Sequence, residues 1–128
     1  MTSGNGSWLP LEGVRVADFT QVIAGPACSM LLADMGADVI KIERPGGDPA
    51  RSIGPFYHDE PHPEKSLFWF AYATSKRGIT LNIETDDGKD IFKRLAKKAD
   101  VVVESFRPGV MDRLGLGADE MTSHTRSR

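Results

Sequence analysis

The fold is decided by residues 14–43, which begin with Val14-Arg-Val-Ala-Asp-Phe19 and end with Asp38-Val-Ile-Lys-Ile-Glu43. Both runs are short, apolar and rich in β-branched residues, which is typical of buried strands. Between them, Ala27–Met35 carries apolar residues at helical spacing. Pro26 suits the first position of that helix, because its missing N–H has no helical partner to lose there. The stretch therefore predicts one βαβ unit with a right-handed crossover.

Two further strands and a second helix are predicted downstream. Gly78-Ile-Thr-Leu-Asn-Ile83 alternates like a strand, and Val101-Val-Val103 is a β-branched run. Thr85 can cap a helix over residues 86–98, which begins with two aspartates and ends with lysines, as the helix dipole favours. Strands buried by helices are expected to pair in parallel. The predicted fold class is therefore α/β, a Rossmann-like open, mostly parallel sheet with flanking helices.

Three other segments are less regular. Residues 44–66 are rich in Pro, Gly and charge without periodicity, so they predict a long loop, which inside a domain is usually functional or disordered. The aromatic run Ser66-Leu-Phe-Trp-Phe-Ala-Tyr-Ala73 fits either a helix or a strand. Pro108 is predicted to begin a short helix that ends near Gly115.

The domain organisation follows from where these patterns stop. Residues 1–9 are predicted to be a disordered leader, and residues 10–117 to form the domain. Residues 118–128 are predicted to be a disordered or aberrant tail, because Thr122-Ser-His-Thr-Arg-Ser-Arg128 has no apolar residue. An α/β domain is not expected to end on such a tail, so we expect a truncated, frameshifted or fragmentary product.

Composition excludes several classes of protein. A net charge of −2 leaves no large excess of Lys and Arg for nucleic-acid phosphates. The single cysteine, Cys28, excludes an intrachain disulfide and favours a reducing compartment. It is predicted to lie in the core as part of the apolar face of the first helix, and not to act as a nucleophile. The sequence has no secretory signal and no run of bilayer-spanning length, so a cytoplasmic protein without a membrane partner is predicted.

Several blocks of sequence, taken in order, carry a family resemblance. They resemble the amino-terminal third of the coenzyme A transferases of the third family, which includes formyl-CoA transferases, carnitine CoA-transferases and 2-methylacyl-CoA racemases. The resemblance covers roughly residues 10–117. The blocks are Pro10–Phe19, Ala24–Pro26, Leu32–Arg44, Ser75–Asn82, Ala99–Gly109 and Asp112–Gly115.

This resemblance implies a set of residues that contact coenzyme A. They are Val22, Ile23, Ala24, Arg44, Leu81, Asn82, Ile83, Ser105, Phe106, Arg107 and Arg113. From the residues alone, the turn after the first strand offers backbone amides at a helix start, where open α/β sheets bind ligands. Each of these assignments also has a structural interpretation that stays open. The turn at residues 22–26 could be only a tight turn, and Arg44 a solvated charge at a strand end. Leu81 and its neighbours could be core strand residues, and Arg113 a cation at a helix end.

The remaining polar candidates have ordinary explanations as well. Lys76 and Arg77 form a basic pair that either reaches phosphate or caps a loop. His58 and His62 lie near Asp59 and Glu60, but the spacing is loose and no cysteine accompanies them, so a solvated loop is predicted and no metal site.

The resemblance also implies a mechanism whose reacting groups are not in this chain. In the family's transferases an aspartate attacks the acyl-CoA thioester, and an enzyme–CoA thioester forms before a carboxylic acid takes the coenzyme. That aspartate, like the racemases' acid/base pair, is expected after this chain ends, so no catalytic residue is predicted here. Acyl-CoA and a carboxylic acid would be substrates, no cofactor would be permanently bound, and the full-length family forms interlocked homodimers.

Three other functions are considered as alternatives to a CoA-transferase. A 2-methylacyl-CoA racemase is the nearer alternative, and a non-catalytic binding module is the second. A dinucleotide-binding Rossmann domain is disfavoured, because Gln21-Val-Ile-Ala-Gly-Pro26 stands where Gly-x-Gly-x-x-Gly would follow the first strand.

Overall fold

The computed structural model of the chain describes residues 8–125. Its sheet has four parallel strands in the order β3-β2-β1-β4. The strands are β1 (Arg15–Phe19), β2 (Asp38–Glu43), β3 (Arg77–Thr80) and β4 (Val101–Glu104). The predicted α/β fold class, an open parallel sheet with flanking helices, is confirmed.

Five helices and two short 3-10 turns connect and cover these strands. The helices are α1 (Ala24–Asp34), α2 (Leu67–Tyr72), α3 (Asp86–Lys98), α4 (Val110–Arg113) and α5 (Ala118–Thr125); the turns are Pro49–Ser52 and Tyr57–Asp59. Thr85 caps α3 as predicted, accepting a hydrogen bond from the Gly88 N–H at 3.0 Å. Ser66 does the same for α2 through the Trp69 N–H, so the aromatic run is a helix.

Helix α1 begins three residues earlier than predicted. The Ala27 N–H already donates to the Ile23 carbonyl at 2.8 Å, which makes Pro26 the third helical residue and not the first. Proline is tolerated at that position, because the first helical N–H groups have no partner inside the helix in any case.

Strand β3 ends earlier than the alternating pattern suggested. Residues 78–83 were predicted to be extended, but the strand is Arg77–Thr80 and the chain then turns towards α3. The Leu81 N–H still donates to the Glu43 carbonyl at 2.8 Å. Leu81 and Ile83 are nevertheless buried in the core, which explains the apolar alternation.

The carboxy-terminal residues differ from the predicted tail. Residues 118–125 form α5, and Met121 packs against the main core cluster. Its apolar side chain gives this short helix a surface on which to dock. The remaining tail residues, 126–128, and residues 1–7 of the predicted leader lie outside the described residues.

Two apolar clusters lie on opposite faces of the sheet, since successive strand residues point to opposite sides. One face packs Ala17 and Phe19 of β1 against Phe92 of α3, with the Phe19 and Phe92 rings edge to face at 5.7 Å. The other face packs Val16 and Val39 against α1. Among residues 8–125, no helix has the length and apolar character that crossing a bilayer would need.

Candidate functional site

A groove opens at the edge of the sheet where all four strands end, because parallel strands place their carboxyl ends together. We call it the edge groove, and its volume is about 870 Å³. It is lined by Phe19, Gln21, Arg44, Pro45, Gly46, Gly47, Asn82, Ile83, Glu84, Ser105, Phe106, Arg107, Val110 and Leu114. Ligands of open α/β sheets bind outside the carboxyl ends of strands, so this is the fold's expected ligand position.

The edge groove is lined by six of the eleven residues that the family resemblance implies as contacts of coenzyme A. These are Arg44, Asn82, Ile83, Ser105, Phe106 and Arg107. They come from three separate connections, after β2, β3 and β4 respectively. The arrangement supports a single binding surface built from segments far apart in sequence.

The other five nominated residues lie outside the lining of the groove. Val22 and Ile23 lie in the β1–α1 connection at the same sheet edge and Ala24 begins α1, with the Ile23 side chain exposed. Leu81 is a core residue with 8% of its surface exposed, so it supports the groove from within. Arg113 is exposed on α4, whose Val110 does line the groove.

Two exposed arginines supply positive charge to the edge groove. Among the described residues, ion pairs occupy Arg51, Arg77 and Arg94, whereas Arg44 and Arg107 have no carboxylate partner. An unpaired guanidinium can bind phosphate through parallel N–H donors without first breaking an internal pair. The groove therefore combines two available cations with a lining of both polar and apolar side chains.

A glycine turn follows Arg44 and shapes that side of the groove. Gly46 and Gly47 have φ values of 93° and 87°, in the left-handed region that side chains disfavour. A Cβ at Gly47 would lie 2.9 Å from the Cδ of Arg51, whereas one at Gly46 would meet nothing within 4 Å. Gly47 is thus fixed by packing, and Gly46 leaves open backbone beside Arg44.

Aromatic side chains provide the apolar part of the groove. The half-buried Phe106 ring lies 5.0 Å from the buried Phe19 ring, centre to centre. The Phe106 N–H donates to the Glu104 carboxylate at 2.8 Å, which fixes the turn after β4. A flat aromatic ligand group would find a preformed apolar surface here.

A buried polar network under the β1–α1 connection was not foreseen from the sequence. It comprises Asp18, Thr20, Ser29, Lys41, Asp48 and Lys76, each with its polar side chain almost fully buried. The Asp18 carboxylate pairs with Lys76 at 3.1 Å and accepts hydrogen bonds from the Thr20 and Ser29 hydroxyls. Lys41 pairs with Asp48 at 3.0 Å and donates to the Thr20 carbonyl. No buried side-chain polar atom of the described residues lacks a partner.

Lys76 and Arg77 have structural partners and do not line the edge groove. The Lys76 ammonium also donates to the Pro26 carbonyl at 2.9 Å, and burial lowers its pKa below the ordinary 10.5, although the Asp18 carboxylate acts in the opposite direction. Arg77 pairs with Asp38 at 2.6 Å, at the opposite end of β2. Of the two interpretations of this basic pair, the geometry supports the structural one.

Glu43 and Arg51 extend the polar structure towards the Arg44 turn. Arg51 donates to both carboxylate oxygens of Glu43 at 2.8 Å and stacks 4.0 Å from the centre of the Trp69 ring. Burial acts to raise the pKa of Glu43, but the hydrogen bonds from Arg51 and the Asp48 N–H outweigh it and hold that pKa below the ordinary 4.5. This bidentate contact between the Arg51 guanidinium and the Glu43 carboxylate fixes the loop that follows β2.

One signal in the sequence could have indicated this network. Asp18 of β1 and Lys41 of β2 are opposite each other in the parallel ladder. Charged residues in strands that are otherwise apolar are rarely left unpaired when buried. Once β1 and β2 are taken as neighbours, the two charges indicate a buried polar cluster.

The position of Cys28 differs from the prediction. Cys28 was expected in the core, but it is exposed, because the buried side of α1 is formed by Pro26, Ser29 and Ala33. Within residues 8–125, no three His, Cys, Asp or Glu side chains come together as a metal site would need.

A family model described as "CoA-transferase family III" matches residues 11–126 of the chain. A succinyl-CoA:mesaconate CoA-transferase of Haloarcula marismortui is 46% identical over 114 residues, which are 89% of this chain and 29% of that protein. A formyl-CoA:oxalate CoA-transferase of Bradyrhizobium is 50% identical over 107 residues, 83% of this chain and 24% of that protein.

Solved structures agree with the fold. A hypothetical protein of Mycobacterium tuberculosis superimposes with a TM-score of 0.80 at 43% identity, covering 91% of this chain and 30% of that one. A CAIB/BAIF family protein of Brucella suis gives a TM-score of 0.84 at 36% identity, covering 92% and 31% respectively. The chain therefore spans less than a third of the length of these relatives.

Proposed function

This chain belongs to CoA-transferase family III, and from that membership we propose that it forms part of the coenzyme A site of an enzyme that moves coenzyme A from an acyl-CoA thioester to a carboxylic acid. The observation that supports the proposal is the edge groove, in which Arg44, Phe106 and Arg107 meet at the carboxyl ends of the strands.

The chemistry of coenzyme A matches the character of the groove. Its pyrophosphate and 3′-phosphate call for guanidinium donors, which Arg44 and Arg107 would supply, with Arg113 as a third cation on α4. Its adenine calls for an apolar surface, which Phe106 and Ile83 would supply beside Ser105 and Asn82 in the same lining. The pantetheine arm would follow the backbone of Val22 and Ile23 in the β1–α1 connection and of Ala24 at the start of α1. Leu81 would support the groove from the core.

The reacting groups are proposed to lie in the part of the relatives that this chain does not span. No residue of the chain is assigned a catalytic role. The acyl-CoA donor and the carboxylic acid acceptor are the proposed substrates, with no permanently bound cofactor, an interlocked homodimer as the assembly and the cytoplasm as the location.

A titration of the purified chain tests the coenzyme site. We expect heat release on addition of coenzyme A and none on addition of NAD. Binding of NAD alone would favour a dinucleotide-binding domain, and binding of neither would favour a non-catalytic module.

Arginine variants refine that test. Arg44→Ala and Arg107→Ala are each expected to weaken coenzyme A binding by about one to two orders of magnitude, because a hydrogen bond to a charged group contributes about 1.5–3 kcal/mol. Arg94→Ala is the matched control, since Arg94 is an exposed arginine of α3 paired only with Asp90. Repeating the titrations with dephospho-CoA identifies the arginine that contacts the 3′-phosphate, because its variant would no longer distinguish the two ligands. Equal affinity of all three variants would contradict the proposed site.

The reaction itself is tested on the protein that carries this chain. Incubation with succinyl-CoA and a carboxylic acid should yield a new thioester if the protein is a transferase. Epimerisation of a 2-methylacyl-CoA without any acceptor would favour the racemase alternative.

A further inference from the structure

The β1–α1 connection contains a residue in a strained backbone conformation. Val22 has a φ of 70°, in the left-handed region that a β-branched residue rarely adopts. Such conformations persist only where surrounding contacts impose them, and they cluster at ligand sites. The contact at Val22 is a carboxylate, because its N–H lies 3.2 Å and 3.4 Å from the two carboxylate oxygens of Asp48.

Asp48 is itself held in place by buried groups. It is 4% exposed, and its carboxylate also accepts from the Ala50 N–H at 2.8 Å. Its second oxygen pairs with the Lys41 ammonium, which donates to the Thr20 carbonyl as well. The Lys41–Asp48 pair thus contacts the connection on both sides of Gln21, a residue that lines the edge groove.

Asp48 also closes the turn that carries Arg44. Its backbone N–H donates to the Glu43 carboxylate at 2.8 Å, so the residues on the two sides of the turn over 44–47 are joined directly. Within that turn, the Gly47 N–H donates to the Arg44 carbonyl at 2.9 Å. Asp48 therefore connects the Arg44 turn to Val22, which lies 26 positions earlier in the chain.

We propose that Asp48 is a positioning residue that holds the Val22 connection and the Arg44 turn in their coenzyme-binding arrangement before the ligand arrives. The role rests on the proposed function, since it concerns the same site. A binding surface that is already ordered does not lose affinity to the ordering of its loops. Asp48 need not touch the ligand, because it acts through the backbone of Val22 and the position of Arg44.

The test compares substitutions of Asp48 by coenzyme A titration, performed well below the unfolding temperature of each variant. Asp48→Ala is expected to weaken binding about tenfold, equivalent to about 1.4 kcal/mol. Asp48→Asn is expected to recover part of that affinity, because its amide oxygen can still accept from Val22 and Ala50 although it cannot pair with Lys41. It also keeps the test available if Asp48→Ala does not fold.

A second buried substitution separates positioning from general stability. Val39→Ala removes core volume on the α1 face of the sheet, away from both segments, and is expected to lower stability while leaving the affinity unchanged. Amide hydrogen exchange gives a readout that needs no ligand: the Val22 N–H should exchange faster in Asp48→Ala and at the wild-type rate in Val39→Ala once global unfolding is accounted for.

The outcomes distinguish this inference from the proposed function. If the wild-type chain binds no coenzyme A, the proposed function fails and this role fails with it. If the wild-type chain binds and folded Asp48→Ala or Asp48→Asn binds equally well with unchanged exchange at Val22, the inference alone is overturned. Equal affinity losses in Val39→Ala and Asp48→Ala would also overturn it, since stability and not position would then set the affinity.

Discussion

The ammonium group of Lys76 lies 3.1 Å from the carboxylate of Asp18, and the two side chains are only 2% and 0% exposed. The pair joins the residue just before β3 to the central strand β1, across 58 positions of sequence. Two buried charges of this kind are costly to remove from water and compensate one another only as a pair. Removing one partner of the pair is therefore expected to destabilise the fold by more than the intact pair stabilises it.

Lys76→Met should destabilise the chain strongly, because it leaves the Asp18 carboxylate buried without a cation. Loss of one partner of a buried pair typically costs about 3–5 kcal/mol. Urea unfolding followed by circular dichroism measures the change. The double variant Asp18→Asn, Lys76→Met removes both charges and should be more stable than Lys76→Met alone. A double variant that is no better than the single one would show that the charge of Asp18 is not the cause.

Glu43→Gln should lower stability at neutral pH and have less effect in acid. The folded pKa of Glu43 is held below its ordinary value of 4.5, so the ionised carboxylate stabilises the fold above that pH and the contribution is lost as the pH falls through the folded pKa. At pH 7 the loss should be about 1–3 kcal/mol, as for other hydrogen bonds to charged groups. Urea unfolding at pH 7 and at several values below 4.5 measures the convergence of the two proteins.

Glu64→Gln is the control for that comparison. Glu64 also contacts Arg51, at 3.4 Å, but its side chain is 74% exposed. Exposed ion pairs contribute little, so this variant should follow the wild-type protein throughout the pH range. A Glu43→Gln variant that behaved in the same way would contradict a stabilising role for the buried contact.

Gly88→Ala should disturb the edge groove from the side of α3. A Cβ at Gly88 would lie 1.7 Å from the Asn82 carbonyl oxygen, a distance that forces the backbone to shift. Overpacking of this kind costs about 1–3 kcal/mol, and here it also moves Asn82, which lines the groove. Urea unfolding and coenzyme A titration should both respond. Gly78→Ala is the matched control, because a Cβ there meets nothing within 4 Å.

The strands were predictable because their burial imposes a simple pattern. β1 and β2 are covered by helices, so buried apolar residues such as Val16, Phe19 and Val39 mark them, and the intervening helix implies parallel pairing. The same reasoning overestimated β3, since Leu81 and Ile83 are apolar for a different reason: they fill the core after the strand has ended. Alternating apolar residues therefore indicate which side chains are buried, whereas the ends of a strand depend on its backbone hydrogen bonds to the neighbouring strand.

The exposed face of α1 shows a second limit of periodicity. Leu31 and the C-cap residue Met35 are 58% and 41% exposed, whereas the small residues Ser29 and Ala33 are buried. Close approach of a helix to a sheet favours small side chains at the contact. The spacing of the apolar residues alone therefore predicted the wrong buried face of α1, and Cys28 was wrongly expected in the core.

The meeting of the segments after β2, β3 and β4 at one edge of the sheet was predictable, but the buried contacts beneath them were not. Residues after β2, β3 and β4 were nominated from a resemblance, and parallel strands necessarily bring such positions to one edge of the sheet. The pairing of Lys76 with Asp18 depends on tertiary folding, and no local pattern encodes it. The sequence offers only an indirect sign of such a network, namely the charged residues Asp18 and Lys41 within the two strands that prove to be neighbours.

Met121→Ser tests whether α5 is an integral part of the domain. Met121 is partly buried against the core cluster that contains Phe92 and Leu116, so a polar replacement should cost about 1–2 kcal/mol, less than a fully buried methionine. Thr122→Ala is the control from the same helix, because Thr122 is exposed and its hydroxyl donates a hydrogen bond to the Ala118 carbonyl of the preceding turn. Urea unfolding distinguishes a docked helix from an independent tail: a docked α5 requires Met121→Ser to shift the midpoint and Thr122→Ala to leave it nearly unchanged. If neither substitution moved the midpoint, α5 would contribute nothing to the core, and the disordered tail expected from the sequence would be the better description of residues 118–125.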